Sequence, residues 1–307
     1  MDISGWAAVA VVISSLSWSL FDSSRKKLSL HFTALSAVFW LMLLQAPLFV
    51  LYAVSVTSER WLLPASDYWW PAGLSLALNV LSSLWFIDSV RLAPLSLAIP
   101  LLSLTPVFSS LGGYLILNES ISLRAAAGIA VIVASTSFLG WKTAVHPAKT
   151  AKPGIGGALE KAKIRRGLLL MLGVALLFAL IPVFDKVCLG RVPMSEHASL
   201  QCLAVAVAVA VVIFWKSRGR ESLGFGWSSV KTHRLWLLFA VVFAAFALGA
   251  QFAAIRNMPV AFFEAFKRSL GLVFSLAFGR ILFGEAVTFL KVAIIGLIAL
   301  GVFFLLT

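Results

Sequence analysis

The chain has 307 residues, of which 61% are hydrophobic and only 12% charged. A soluble domain carries about 45–50% apolar and about 25% charged residues, so these figures exclude a water-soluble enzyme of this length and predict a polytopic membrane protein. The 25 Lys and Arg outnumber the 12 Asp and Glu, for a net charge of +13. Most of these bases sit in short loops between apolar runs, which is the positive-inside pattern rather than a nucleic-acid surface.

About 20 apolar residues cross the hydrocarbon core as a helix. That ruler predicts ten spans, near 5–21, 33–55, 71–89, 94–117, 123–141, 168–188, 198–215, 235–255, 260–283 and 287–306. The first run follows Asp2 instead of a basic segment and has no small-residue cleavage pattern after it, so it reads as a retained helix rather than a signal peptide. Trp6, Trp69, Trp70, Trp141, Trp215 and Trp236 fall at span ends, where the indole favours the headgroup zone. The long interruption 142–166 is polar, basic and rich in Gly and Pro, the composition of a linker. The expected organisation is therefore a five-helix half over 1–141, the linker 142–166, and a second five-helix half over 167–307.

The halves repeat one another. Val90–Pro94 (VRLAP) recurs as Ile255–Pro259 (IRNMP), Glu119 as Glu285, and Phe21-Asp22 as Phe184-Asp185, at offsets of 165, 166 and 163 residues. An odd number of spans per half places the two copies in opposite orientations, the inverted-repeat plan of many secondary transporters.

Inside the spans, charge is expensive. The ninth holds Glu264, Lys267 and Arg268. Spacings of three and four put Glu264 beside both bases, and one carboxylate neutralises only one of them. The excess positive charge lies about 10 Å past the helix start, on a face continued by Gly271, Ser275 and Gly279. Two readings stay open: an anion site with Arg268 as the fork, and a structural ion pair with Lys267 snorkelling to the surface. Asn79, Ser103 and Gln251 are candidate hydrogen-bonding groups of a pathway, and Trp85, like Trp18, suits a cavity wall and ordinary packing equally. Ser15, Ser19 and Asp22 share a face of the first span; Ser96, Pro100, Ser103 and Ser110 share one on the fourth. Pro100 and Pro106 free the carbonyls of Ser96 and Leu102. Asp22 and Asp185, repeated in the two halves, are coupling candidates for a proton or counter-ion; the plainer reading of each is a helix cap or a partner for a base. Asp88 reads as the partner of Arg91. Asn118-Glu119 and Gly284-Glu285 read as turn-and-cap devices for the helices that follow them.

No metal or other cofactor site is expected. Cys188 and Cys202 lack metal-type spacing, a disulfide between them stays open, and His31, His146, His197 and His233 are scattered over the loops. No nucleotide-binding loop is present, which leaves exchange or proton coupling as the energy source. The loops after spans 1, 3, 5 and 7 carry 16 bases against 5 on the other side, which puts the linker in the cytoplasm and both termini outside.

The segment APLSLAIPLLSLTPVFSSLGGYLILNESISLRAAAGIAVIVA, with Pro94, Pro100, Pro106, Glu119 and Gly128, resembles the second part of an EamA repeat of the drug/metabolite transporter superfamily. The segment VFSLAFGRILFGEAVTFLKVAIIGLIALGV, with Glu285 and Gly296, resembles its second copy, although Pro100 and Pro106 align with Ala265 and Gly271. The resemblance implies an all-α integral membrane protein of ten transmembrane helices, two inverted repeats around a central cavity, moving small solutes and not acting as an enzyme. Lys267-Arg268 also resembles the pair by which plastid phosphate translocators hold phosphate. Members of the superfamily are often drawn with cytoplasmic termini, opposite to the charge count, and the charge count sets the expectation here. The leading expectation is secondary transport of a small, anionic metabolite across a bacterial inner membrane by a monomer or homodimer. The alternatives are an amino-acid or amphiphile exporter with a structural basic pair, and a membrane-embedded enzyme acting on lipid-linked substrates.

Overall fold

The computed structural model describes residues 5–28, 31–56, 64–93, 99–145, 157–217 and 227–283, with single positions 292, 293, 296, 297, 300, 301 and 304. Among the described residues there is no strand, only helices and the short turns that join them. They form α1 (Gly5–Leu28), α2 (Ala34–Val56), α3 (Trp69–Leu92), α4 (Thr105–Leu117), α5 (Leu123–Val145), α6 (Gly157–Leu189), α7 (Met194–Ser217), the short α8 (Trp227–Thr232), α9 (Arg234–Asn257) and α10 (Val260–Phe283). Two 3₁₀ turns, Ser66–Tyr68 and Ile99–Leu104, precede α3 and α4. Among the described residues, five helices are long and apolar enough to cross a bilayer: Gly5–Asp22, Ala34–Ser55, Ala162–Leu189, Met194–Trp215 and Arg234–Asn257. Leu101–Leu117 and Leu123–Ser135 are shorter apolar helices. Most of the span expected over 287–306 lies outside the described residues, as do Pro94, Ser96, His146 and Glu285 and the side chains of Arg91, Pro100, Trp141, Ser275 and Gly279.

Local chemistry sets the boundaries. The backbone N–H of Ser36 donates to Thr33 Oγ1 at 3.2 Å, capping α2. Asn118 ends α4 in the left-handed region (φ 54°, ψ 32°), which Asn tolerates better than most residues. Helix α6 starts at Gly157, so the basic run Lys161–Arg166 is helical and continuous with the apolar span. The fourth expected span is not one helix. A 3₁₀ turn leads into α4, and Pro106 sits in its first turn, where a missing N–H breaks no intrahelical bond. Ser103, in the 3₁₀ turn, and Ser110, in α4, therefore do not lie on one continuous α-helix. The carbonyl of Leu102 is taken by Thr105 Oγ1 at 2.6 Å.

Apolar residues stand exposed in rows. On α7, Leu203, Val207 and Val211 repeat every four residues on an exposed face, while Val205, Val209 and Ile213 are buried. A helix with apolar side chains on its outer as well as its inner face is solvated by lipid. Hydroxyls inside these helices turn back on their own backbone: Ser15 donates to Val11 O, Ser19 to Ser15 O, Ser199 to Ser195 O and Ser269 to Ala265 O. Such bonds satisfy the hydroxyl where no water is present. Trp6, Trp69, Trp70, Trp215 and Trp236 are exposed at helix ends, as expected of interfacial anchors.

The chain divides into two compact units, residues 1–80 with 184–258 and residues 81–183 with 259–307, whose boundaries fall within α3, within α6 and between α9 and α10. In the first unit, Phe21, Leu28, Phe32, Trp40 and Leu41 pack with Leu237, Ala240, Val241 and Ala244 of α9. Val205, Val209 and Ile213 of α7 pack on Leu35, Val38, Leu76 and Val80. In the second, Met171, Val174 and Ala175 of α6 join Ala93 and Leu102, with Trp85 and Phe86 against them. Helix α3 approaches α6 closely there: Ser89 Oγ donates to Gly167 O at 2.7 Å, and a Cβ on Gly167 would lie 2.8 Å from that of Ala93.

Candidate functional site

In the second unit, α10 carries the charge cluster that its sequence announces. The Glu264 side chain is fully buried, while those of Lys267 and Arg268 are 14% and 22% exposed. Lys267 Nζ donates to Glu264 Oε1 and also lies 4.9 Å from the centre of the Phe263 ring, within cation–π range. Arg268 Nε stands 3.8 Å from Glu264 Oε2, too far for a hydrogen bond. Both atoms are buried with no hydrogen-bond partner. Arg268 Nη2 reaches Thr105 Oγ1 of α4 at 3.4 Å. One carboxylate thus faces two bases, and the group keeps a net positive charge at a guanidinium whose Nε–H is unsatisfied. Such a fork accepts an anionic oxygen readily.

Of the uncharged candidates, Ser103 in the same unit pairs hydroxyl to hydroxyl with Ser137 at 2.9 Å. Trp85 lies against α6; a Cβ on Gly173 would come 2.6 Å from its ring, so the indole fills the space that the glycine leaves. Gln251 and Asn79 belong to the first unit. Gln251 is buried and its Oε1 accepts from Trp18 Nε1 at 3.1 Å. Asn79 Nδ2 donates to the carbonyl and the hydroxyl of Ser75, at 3.0 and 3.4 Å.

The two repeated acids differ. Asp22 is exposed and pairs with Arg25, the plainer of its two readings. Asp185 is completely buried in the first unit. Its Oδ1 accepts from Ser75 Oγ and, at 2.9 Å, from Gln201 Nε2, and lies 3.4 Å from His197 Nε2. Its Oδ2 is buried without a hydrogen-bond partner. On the far side of the imidazole, Nδ1 is 3.0 Å from the Tyr68 hydroxyl. Tyr68 lies in the turn ahead of α3, and its phenol is pushed well above its usual range by burial first, then by Cys188, Asp185 and Glu196. A phenol that keeps its proton donates to Nδ1, which leaves the imidazole proton on Nε2, facing Asp185. The adjacent Lys186 donates to Met258 O at 2.7 Å.

Sequence reasoning places His197 among the loops, and that is corrected: α7 starts at Met194, four residues ahead of the expected span, because hydropathy alone discounts the polar Ser195, Glu196 and His197 that form its first turn. Gln201, four residues on, was the missed signal, a polar group one turn from His197 inside an apolar run. Two of the other histidines, His31 and His233, stack with ring centres 3.8 Å apart.

Glu119 requires a second correction. The cap at the start of α5, the helix directly after it in sequence, is Ser122 Oγ, which accepts from Ala125 N at 3.1 Å. Glu119 Oε2 accepts instead from the backbone N–H of Val260 at 3.0 Å, the first residue of α10. It thereby holds the start of the helix that carries Glu264, Lys267 and Arg268. The disulfide is settled too: Cys188 and Cys202 are both free and buried.

Lipid-solvated apolar helices with buried charge at defined points make this a multi-pass integral membrane protein. The model of the EamA-like transporter family matches residues 5–141 and again 165–307. The chain belongs to that family, and so is a membrane transporter of the drug/metabolite transporter superfamily. A solved crystal structure of a protein is similar in fold, at 15% identity with a TM-score of 0.69 over 99% of this chain and 98% of the other. Among curated proteins, none matches the chain in sequence.

Proposed function

We propose that this transporter moves a small organic anion by alternating access as a secondary carrier rather than an enzyme. Ten spans in two inverted repeats, 1–141 and 167–307, joined by the linker 142–166, would surround a central cavity in a bacterial inner membrane. The observation that carries the reading is the charge imbalance on α10. Glu264 faces both Lys267 and Arg268, and Arg268 Nε has no hydrogen-bond partner. In a low-dielectric setting such a group is stabilised by an incoming carboxylate or phosphate. Arg268 and Lys267 hold the anion, Glu264 orients them and competes with it, and Asn79, Ser103, Gln251 and Trp85 contribute to the pathway. The bilayer is the other partner, with the protein acting as a monomer or homodimer.

A second reading, an exporter of amino acids or amphiphiles with a structural basic pair, draws on the bond from Lys267 to Glu264. Reconstitution in proteoliposomes separates the two. Uptake of phosphorylated sugars or carboxylates by the native protein, lost in Arg268→Ala while the variant still inserts and folds, supports the anion carrier. Transport that is unchanged in Arg268→Ala overturns it.

A further inference from the structure

We propose that the corner between α8 and α9 is a binding site for the phosphate of an anionic phospholipid. The site is independent of what the transporter carries.

The sequence sets the sign of this corner. Between Trp215 and Trp236 the chain has five bases, Lys216, Arg218, Arg220, Lys231 and Arg234, against one acid, Glu221. Lys231 and Arg234 stand at the corner itself, and both are exposed. Among the described residues neither pairs with an acid: Asp22 is taken by Arg25, Asp67 by Arg191, and Asp185 is buried beside His197. A pocket of about 580 Å³ opens here, lined by Lys231, Thr232, His233, Arg234, Leu235 and Trp236. Its two charges suit one phosphate, with Arg234 as the fork and Lys231 as the point charge.

The corner is held in shape. Ser229 Oγ donates to His31 O at 2.8 Å, and the His233 ring stacks on that of His31. Trp227 packs on Trp40 with ring centres 5.0 Å apart. Val230 and Leu237, on either side of the bases in sequence, pack into the apolar cluster of Phe21, Trp40 and Ala240. Lys231 and Arg234 therefore stand on a fixed backbone, and binding has only their side chains to order.

The apolar border selects a lipid over a soluble phosphate. Trp227, Leu235, Trp236, Leu238 and Phe239 are all exposed beside the bases. Leu235, Leu238 and Phe239 follow one another at spacings of three and four, which form one stripe leading from the pocket along α9. A phospholipid seated by its phosphate lays its acyl chains on that stripe, while the indoles occupy the headgroup zone. A free phosphate leaves the stripe unused, and a zwitterionic lipid brings an ammonium that offsets the attraction.

The test uses the full-length protein in mild detergent at neutral pH. Native mass spectrometry counts the lipids retained from phosphatidylglycerol or phosphatidylcholine, and thermal unfolding is followed in the same mixtures. Phosphatidylglycerol should be retained and raise the melting temperature, and phosphatidylcholine should bind at least about tenfold more weakly. A base at a membrane surface is worth about fivefold in binding anionic lipid. The double variant Lys231→Gln/Arg234→Gln should therefore weaken phosphatidylglycerol binding by roughly 30-fold. The charge-keeping exchange Lys231→Arg/Arg234→Lys should preserve it. So should Arg256→Gln, which removes an exposed base at the other end of α9. Equal retention of the two lipids, undiminished retention in the double Gln variant, or an equal loss in Arg256→Gln overturns the site. Inorganic phosphate and glycerol 3-phosphate are the soluble counterparts. If they displace phosphatidylglycerol and stabilise the protein as strongly, the pocket serves a soluble phosphate and the lipid assignment is overturned.

Discussion

Glu264→Gln is the sharpest probe of the charge cluster on α10. The substitution keeps the shape and removes the one acid facing two bases. At an effective permittivity of about 20, unit charges about 4 Å apart interact by about 4 kcal/mol, and the Glu264 Oε2 to Arg268 Nε separation is 3.8 Å. Removing one member of a buried pair costs about 3–5 kcal/mol. Lys267 and Arg268 each keep some exposure, 14% and 22%, so solvent screens part of the effect and the expected loss is about 2–4 kcal/mol. Thermal unfolding in detergent at low and high salt measures it. The deficit should be largest at low salt, where Lys267 and Arg268 repel one another unscreened, and should shrink as salt rises. A Glu264→Gln protein as stable as the native one at low salt, within about 0.5 kcal/mol, refutes the argument that this carboxylate holds the two bases together.

Three further outcomes follow from the packing. Glu119→Ala removes the acceptor for the first N–H of α10 and should cost about 0.5–2 kcal/mol in thermal unfolding; Glu119→Gln, which keeps an acceptor oxygen, should cost only about 0.3–1 kcal/mol. Gly167→Ala brings a Cβ to 2.8 Å from that of Ala93 and 3.0 Å from its backbone nitrogen. Overpacking of about 1–3 kcal/mol should then outweigh the roughly 1 kcal/mol that alanine gains over glycine in a helix, giving a lower melting temperature. Mass spectrometry after alkylation of the denatured, unreduced protein should find both Cys188 and Cys202 modified, and reductant should leave the melting temperature unchanged.

The local chemistry of the fold was largely legible in the sequence. The starts and ends of α2, α3, α9 and α10, and the start of α1, fall close to where the hydropathy runs put them, because a lipid-solvated stretch must be apolar; α1 runs on past the expected 21 to Leu28 through the polar Asp22–Lys27. The i,i+3 and i,i+4 relation of Glu264 to Lys267 and Arg268 follows from helix geometry alone. Pro106 was seen to free the Leu102 carbonyl, though not that Thr105 would take it. What stayed hidden was pairing between distant segments. Nothing near Glu119 says that its partner is the N–H of Val260, 141 residues away, and its position before α5 suggests the wrong helix. The Asp185 site has the same character. Ser75 and Tyr68 come from one stretch of sequence and His197 and Gln201 from another, and only packing assembles them around the carboxylate of a third. Trp85 shows the converse: its neighbour Gly173 was needed to see that the indole fills a groove on α6.

The most direct test of the central claim, that this transporter recognises an anion through Arg268, is ligand-induced thermal stabilisation of the purified protein. The panel is phosphorylated sugars, carboxylates, amino acids and cationic amphiphiles. A ligand that binds only the folded state at about a hundred times its dissociation constant adds about 2.7 kcal/mol. The account predicts a rise in melting temperature with anions that disappears in Arg268→Ala. A rise only with cationic or neutral amphiphiles, equal in native and Arg268→Ala proteins, contradicts it and makes the basic pair structural.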